Sequence, residues 1–203
     1  VLKGGIFSVL FHLILLKLLI SDIYSLILTV NLLLMISEKI ATLINEQIAH
    51  EQYAAQYYLS MSAWFSSKDL DGIANYFRVQ SKEELMHADK MFDYLNDVGV
   101  EIIIGEIAKP PHQFENAIDI FQKALEHERI VTKSIFNIVK NANDEGDFAT
   151  TSFLQWFINE QVEEEASASQ LVTKIKMVSD NPSALYLFDQ ELAQRVFVAD
   201  AKA

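Results

Sequence analysis

Glu84 and His87 stand three residues apart in the run SKEELMHA, and Gln161 and Glu164 stand three apart in INEQVEEEAS. On a helix an i, i+3 pair shares one face a turn apart, so each pair can aim both side chains at one point. Glu51, in IAHEQYAAQ, and Glu128, in LEHE, complete a set of four glutamates, one glutamine and one imidazole. Oxygen-rich ligation with a single nitrogen suits iron or manganese, whereas zinc would bind there without redox chemistry. A Glu-x-x-His pair on a bundle helix is the spacing by which carboxylate-bridged di-metal sites are held.

Each of these residues falls on the apolar stripe of a long helix. A first helix opens at Ser37, with Glu38 acidic in its first turn, and runs to about Ser66. Asp69–Gly72 forms a turn, and a second helix continues to about Val98, where Gly99 stops it. Asn116 caps a third helix to about Asp144, Gly146-Asp147 turns the chain, and a fourth reaches about Val178. Asn181-Pro182, a cap followed by proline at the first helical position, opens a short fifth helix through about Arg195. The stripes read Ile44, Ile48, Glu51, Ala55, Tyr58; then Ile73, Phe77, Gln80, Glu84, His87, Met91; then Phe121, Leu125, Glu128, Thr132, Ile135; then Leu154, Phe157, Gln161, Glu164, Ala168, Leu171, Ile175. Short links make the first and second helices antiparallel, and likewise the third and fourth. The segment Gly99–Glu115 can span roughly 50 Å and recross the whole bundle. The expected fold is therefore all-α: a four-helix bundle with one long crossover and a short fifth helix.

The glutamates and Gln161 each lie about 12 to 16 residues into their helices, so they converge on one layer whichever way each helix runs. Buried charges cost several kcal/mol each unless paired, protonated or coordinated. No lysine or arginine stands on the stripes, and four glutamates with a neutral imidazole carry −4, which two divalent cations would neutralise. The competing reading is a structural bundle whose acids are protonated, binding no metal and losing stability as pH rises. Glu83, Glu160 and Glu163 lie one position off the stripes, either as a solvated acidic rim or as a third, looser metal position sharing Glu164. Tyr58 lies two turns beyond Glu51, and its buried hydroxyl needs a partner such as a ligand carboxylate. His50 and His127 point about 100° away from the stripe and read as surface or packing residues, and Trp156 reads as core.

Composition limits the alternatives. The 203 residues include 28 acids, 16 bases and no cysteine, with a net charge of −12. The absence of thiols excludes disulfides, Cys-ligated zinc or iron–sulfur sites and a thiol nucleophile. Nucleic acid is not an expected partner of so acidic a chain. Only 6 Gly and 3 Pro are far too few for a many-stranded β fold. Residues 1–34 form a separate apolar extension whose only charges are Lys3, Lys17 and Asp22, a net +1 that leaves −13 on residues 35–203. Three readings stand for this extension: translated sequence upstream of a start at Met35, a membrane anchor, or an extra packed helix. Lys17 and Asp22 keep any uncharged run below the roughly 18 residues of a confident membrane span.

From Met35 to Arg195 the sequence resembles the non-haem ferritins of bacteria, through the motifs NEQIAHEQYAAQYYLSMSAW, SKEELMHA, LEHE and FLQWFINEQVEEEAS. The resemblance implies a ferritin-like fold for residues 35–203 and iron storage with ferroxidase activity, Fe(II) being oxidised by dioxygen or hydrogen peroxide. It implies a first iron held by Glu51, Glu84 and His87, and a second held by Glu128, with Glu84 bridging and Gln161 and Glu164 nearby. A third iron would fall on Glu83, Glu160, Glu163 and Glu164, with Tyr58 beside the centre. It further implies a homo-oligomeric cage of 24 subunits in the cytoplasm. Haem is not expected, because Leu85 stands where haem-binding relatives carry methionine, and Gln161-x-x-Glu164 replaces their second Glu-x-x-His. The alternative is a ferritin-like di-iron oxidase tethered to a membrane by residues 1–34 and building no cage.

Overall fold

Gly99 and Gly146 both adopt left-handed backbone, with φ of 73° and 71°, and each ends a long helix where a Cβ would strain the chain. At Gly99 the Val100 N–H returns to Leu95 O at 3.0 Å, and after Gly146 the Asp147 N–H returns to Ala142 O at 2.8 Å. The helices they punctuate are α1 (Glu38–Ser66), α2 (Asp71–Asp97), α3 (Ala117–Glu145), α4 (Phe148–Val178) and the short α5 (Pro182–Leu192). Side chains start three of them: Asn116 accepts from Asp119 N, Asp147 from Thr150 N, and Asn181 from Ser183 N and Ala184 N. The computed structural model describes residues 36–199 and residues 12, 16, 17, 19 and 20, and no strand occurs among them. It divides into a unit Val1–Ser37 and a unit Glu38–Ala203. The expectations for residues 1–34 lie largely outside the described residues, among which no helix is long and apolar enough to cross a membrane.

Within Glu38–Ala203 the crossover 98–116 lies along α1. Asn45 clamps it at one end, donating to Glu101 O at 3.2 Å and accepting from Ile103 N at 2.7 Å. Ser60 holds its other end through Pro111 O. The chain therefore enters α3 beside the C-terminal end of α1, so α3 runs antiparallel to α1, and Lys39 meets Glu145 at 3.9 Å at the far end. The result is the expected ferritin-like four-helix bundle with one long crossover.

The stripes on α1, α2 and α4 are buried as expected. On α3 the expectation needs correction: Leu125 and Thr132 are only half-buried, and the core face runs through Ala124 and Val131 instead. The helix is rotated slightly about Glu128, which lets Thr132 Oγ1 donate to Glu165 Oε1 at 2.6 Å. The fifth helix is also shorter than expected, stopping at Leu192 rather than Arg195. Asn75 Nδ2 donates to Arg195 O at 2.9 Å and turns the chain back towards α2.

Aromatic rings fill one end of the bundle, where Phe65 stacks on Phe77 at 5.5 Å and Phe121 packs against Phe77 and Phe188. At this end α5 docks on α2 in place of an ordinary cap. Asp189, 5% exposed, accepts from Ile73 N at 2.8 Å, and a Cβ on Gly72 would fall 1.8 Å from Asp189 O. Glycine is required there by contact rather than by φ. Trp156 and Phe157 close the other side of the waist against His87. The polar layer is thus enclosed between dry layers where electrostatic forces are little screened.

Candidate metal centre

Glu51 on α1 and Glu84 and His87 on α2 are 1%, 2% and 4% exposed, and one ligand atom from each lies within 4.8 Å of the others. His87 Nδ1 stands 3.3 Å from Glu84 Oε2, the contact that the i, i+3 spacing implied. Gln47, one turn before Glu51, donates to Glu51 Oε1 at 2.9 Å and is itself held by the Ser134 hydroxyl. Glu51 Oε2 is buried with no hydrogen-bond partner. Burial pushes the Glu51 carboxyl well above its ordinary 4.5, and the adjacent Glu84 carboxylate raises it further. Burial does the same to Glu84, with Glu128 adding to it. Two acceptors facing one another in a dry interior must share protons or a cation.

The α3–α4 side is assembled differently. The Tyr58 hydroxyl donates to Glu128 Oε1, and Gln161 Nε2 donates to Glu128 Oε2 at 3.3 Å. Gln80 Nε2 donates to Glu164 Oε2 at 3.0 Å. Burial, reinforced by Glu164, lifts the Glu128 carboxyl to about 8. Burial also raises Glu164, opposed by the nearby Arg195 guanidinium. The Tyr58 hydroxyl is pushed well above 10.0 by burial and then by Glu128, so it stays protonated and donates. The sequence's expectation that Tyr58 needs a carboxylate partner is met by Glu128.

The outlying acids separate. Glu83 is largely buried and tied to Arg195 at 2.6 Å, Glu160 is half-buried, and Glu163 is exposed. Sequence reasoning missed Arg195: no cation stands on a stripe, but this one arrives from beyond α5. It missed Gln47 as well, although the i, i+4 spacing to Glu51 was the available signal. His50 is exposed, whereas His127 packs edge-on against Tyr57 at 5.4 Å and Tyr58 at 6.0 Å. Burial lowers the His127 imidazole to about 4, so it is neutral at pH 7 and acts as a packing residue.

Three convergent side chains, Glu51, Glu84 and His87, could hold a metal ion on one side, and on the other stands a carboxylate, Glu128, supported by the Gln161 amide and the Tyr58 phenol. Residues 41–178 match the ferritin family model, described as a ferritin-like domain. The chain is 40% identical to the bacterial non-heme ferritin of Campylobacter jejuni over 156 residues, covering 77% of this chain and 93% of that one. It is 37% identical to the bacterial non-heme ferritin of Staphylococcus epidermidis over 163 residues, 80% of this chain and 98% of that one. Among solved structures, an open pore ferritin from the archaeon Archaeoglobus fulgidus superposes with a TM-score of 0.79 at 44% identity, covering 80% of this chain and 99% of that one. A buried carboxylate–histidine cluster at the waist of a crossover bundle, and likeness over nearly the full length of these relatives, lead to one conclusion: the chain belongs to the ferritin family of iron-storage proteins.

Proposed function

We propose that this protein is a ferroxidase as well as an iron store, oxidising Fe(II) at a di-iron centre within each subunit and keeping the Fe(III) as a hydrated oxide mineral. The first Fe(II) would bind Glu51, Glu84 and His87. The second would bind Glu128, with Glu84 bridging and Gln161 and Glu164 beside it. Each Fe(II) gives one electron to dioxygen, which takes up two protons and leaves as hydrogen peroxide; peroxide can serve as oxidant in turn. The carboxylates neutralise the ions and favour Fe(III) over Fe(II), while the metal carries the redox change. Tyr58 orients Glu128 through its hydroxyl. A third, looser position would lie at Glu83, Glu160, Glu163 and Glu164. Twenty-four copies would form the cage, whose acidic subunits draw in cations, and the cytoplasm is the proposed site of storage.

The observation carrying this reading is the buried Glu51–Glu84–His87 group, whose Glu51 Oε2 has no hydrogen-bond partner. Aerobic Fe(II) oxidation by the purified assembly tests it. Glu84→Ala and His87→Ala should each remove the rapid phase, and oxidation at the parent rate would overturn the assignment.

A further inference from the structure

After α5 the chain does not trail away from the bundle. Asn75 holds Arg195 O at 2.9 Å, and the Arg195 guanidinium lies 4.5 Å from the centre of the Tyr76 ring, a cation–π arrangement. From there Nη2 donates to Glu83 Oε2 at 2.6 Å, with side chains only 27% and 18% exposed. Glu83 adjoins Glu84 in sequence, and Glu164, to which Gln80 donates, lies within the electrostatic reach of the same guanidinium. Gln80 is 2% exposed, and its Oε1 is buried with no hydrogen-bond partner. Arg195 thus contacts one carboxylate, Glu83, directly and acts electrostatically on a second, Glu164, and carboxylate oxygens are hard donors that also suit a divalent cation.

We propose that Arg195 is an internal cation latch: its guanidinium occupies Glu83 and closes the third metal position, and a divalent ion binds there only by displacing it. The idea rests on the di-iron reading above and deepens it. The guanidinium on Glu83 competes with a divalent ion for the same carboxylate, because two positive charges held within a few ångströms in a partly buried site repel one another. Displacement would free the guanidinium from Glu83 while Asn75 still holds the backbone, so the side chain swings without undocking α5. The third position is then filled after the first two and emptied more readily, as suits an ion in transit to storage.

Calorimetric titration of the assembled, metal-free protein with Zn(II), a redox-silent stand-in for Fe(II), tests this. The parent should bind two ions per subunit tightly and a third weakly. Arg195→Gln should tighten the third by about tenfold or more, through removal of the competing charge, and change the first two by less than about threefold. In a Glu83→Gln background, Arg195→Gln should have no further effect on the third ion. A third constant that is unchanged or weaker in Arg195→Gln would overturn the latch and leave Arg195 as a docking residue. Loss of the two tight ions in the parent itself would instead overturn the di-iron reading. If Arg195→Gln does not assemble, a Zn(II)-soaked crystal of the parent decides. The latch requires the guanidinium to stand away from Glu83 where an ion is bound, and an ion on Glu83 with the Arg195 contact intact contradicts it.

Discussion

The α1–α2 half of the centre and the α3–α4 half carry similar side chains in unlike company. On the first, Glu51 and Glu84 face one another with His87, and a carboxylate oxygen is left without a donor. On the second, Tyr58, Gln161 and Gln80 donate to Glu128 and Glu164. Gln47 donates to one Glu51 oxygen and leaves the other without a partner, whereas both oxygens of Glu128 accept a hydrogen bond and are partly compensated for burial. Under the proposed function, the first half would depend more on a bound cation than the second, whose carboxylates already accept hydrogen bonds. The proposed di-iron reading then expects the first ion to be held more firmly than the second.

The largest effect expected is from removing a ligand of the firm half. His87→Ala or Glu84→Ala should slow the rapid phase of aerobic Fe(II) oxidation about 100-fold or more, beyond the usual cost of losing a ligand's outer partner. Removal of metal comes next. Glu51, Glu84, Glu128 and Glu164 all have raised carboxyls when the site holds no ion. Folding then favours their protonated forms, so the stability they contribute is complete below about 4.5 and is lost as pH rises, for Glu128 through about 8. Chelated protein should melt about 5 °C lower or more at pH 8 than at pH 5, and Zn(II) should abolish that decline. A flat melting profile without metal would mean the acids are not buried as described.

Glu51→Gln sharpens the contrast between the halves. It replaces a carboxyl whose ionised form burial disfavours with an amide that carries no charge, so at alkaline pH the metal-free form should gain about 1–3 kcal/mol in thermal or denaturant unfolding, while the added stability conferred by Zn(II) shrinks. Tyr58→Phe acts on the other half, where it should weaken the second ion about tenfold and spare the first in the same titration. The smallest effect concerns the outlying acids. Glu160→Gln with Glu163→Gln should alter the iron-to-oxygen ratio or turnover and spare the first rapid oxidation; no change would make them a charged rim.

Much of this was legible in the sequence because it rests on periodicity and local chemistry. Glu84 and His87 share a face by helix geometry alone, and Asn116, Gly146 and Asn181-Pro182 mark helix ends through backbone requirements that any fold must meet. What was not legible depends on tertiary approach. The α3 stripe shifted from Leu125 and Thr132 to Ala124 and Val131, because the partners of a helix decide its final rotation. Asp189 caps α2 from 116 positions away, and Arg195 reaches Glu83 from 112 away. No local pattern announces either contact, and the charge count of the stripes therefore left out a cation.

The most direct test of the paired-ion centre is anomalous diffraction from crystals soaked anaerobically with Fe(II). Two peaks per subunit are expected inside the bundle, about 3.5–4 Å apart, one on Glu51, Glu84 and His87 and one on Glu84 and Glu128. A bundle interior with no iron peak, its glutamates turned outward to solvent, would contradict the account.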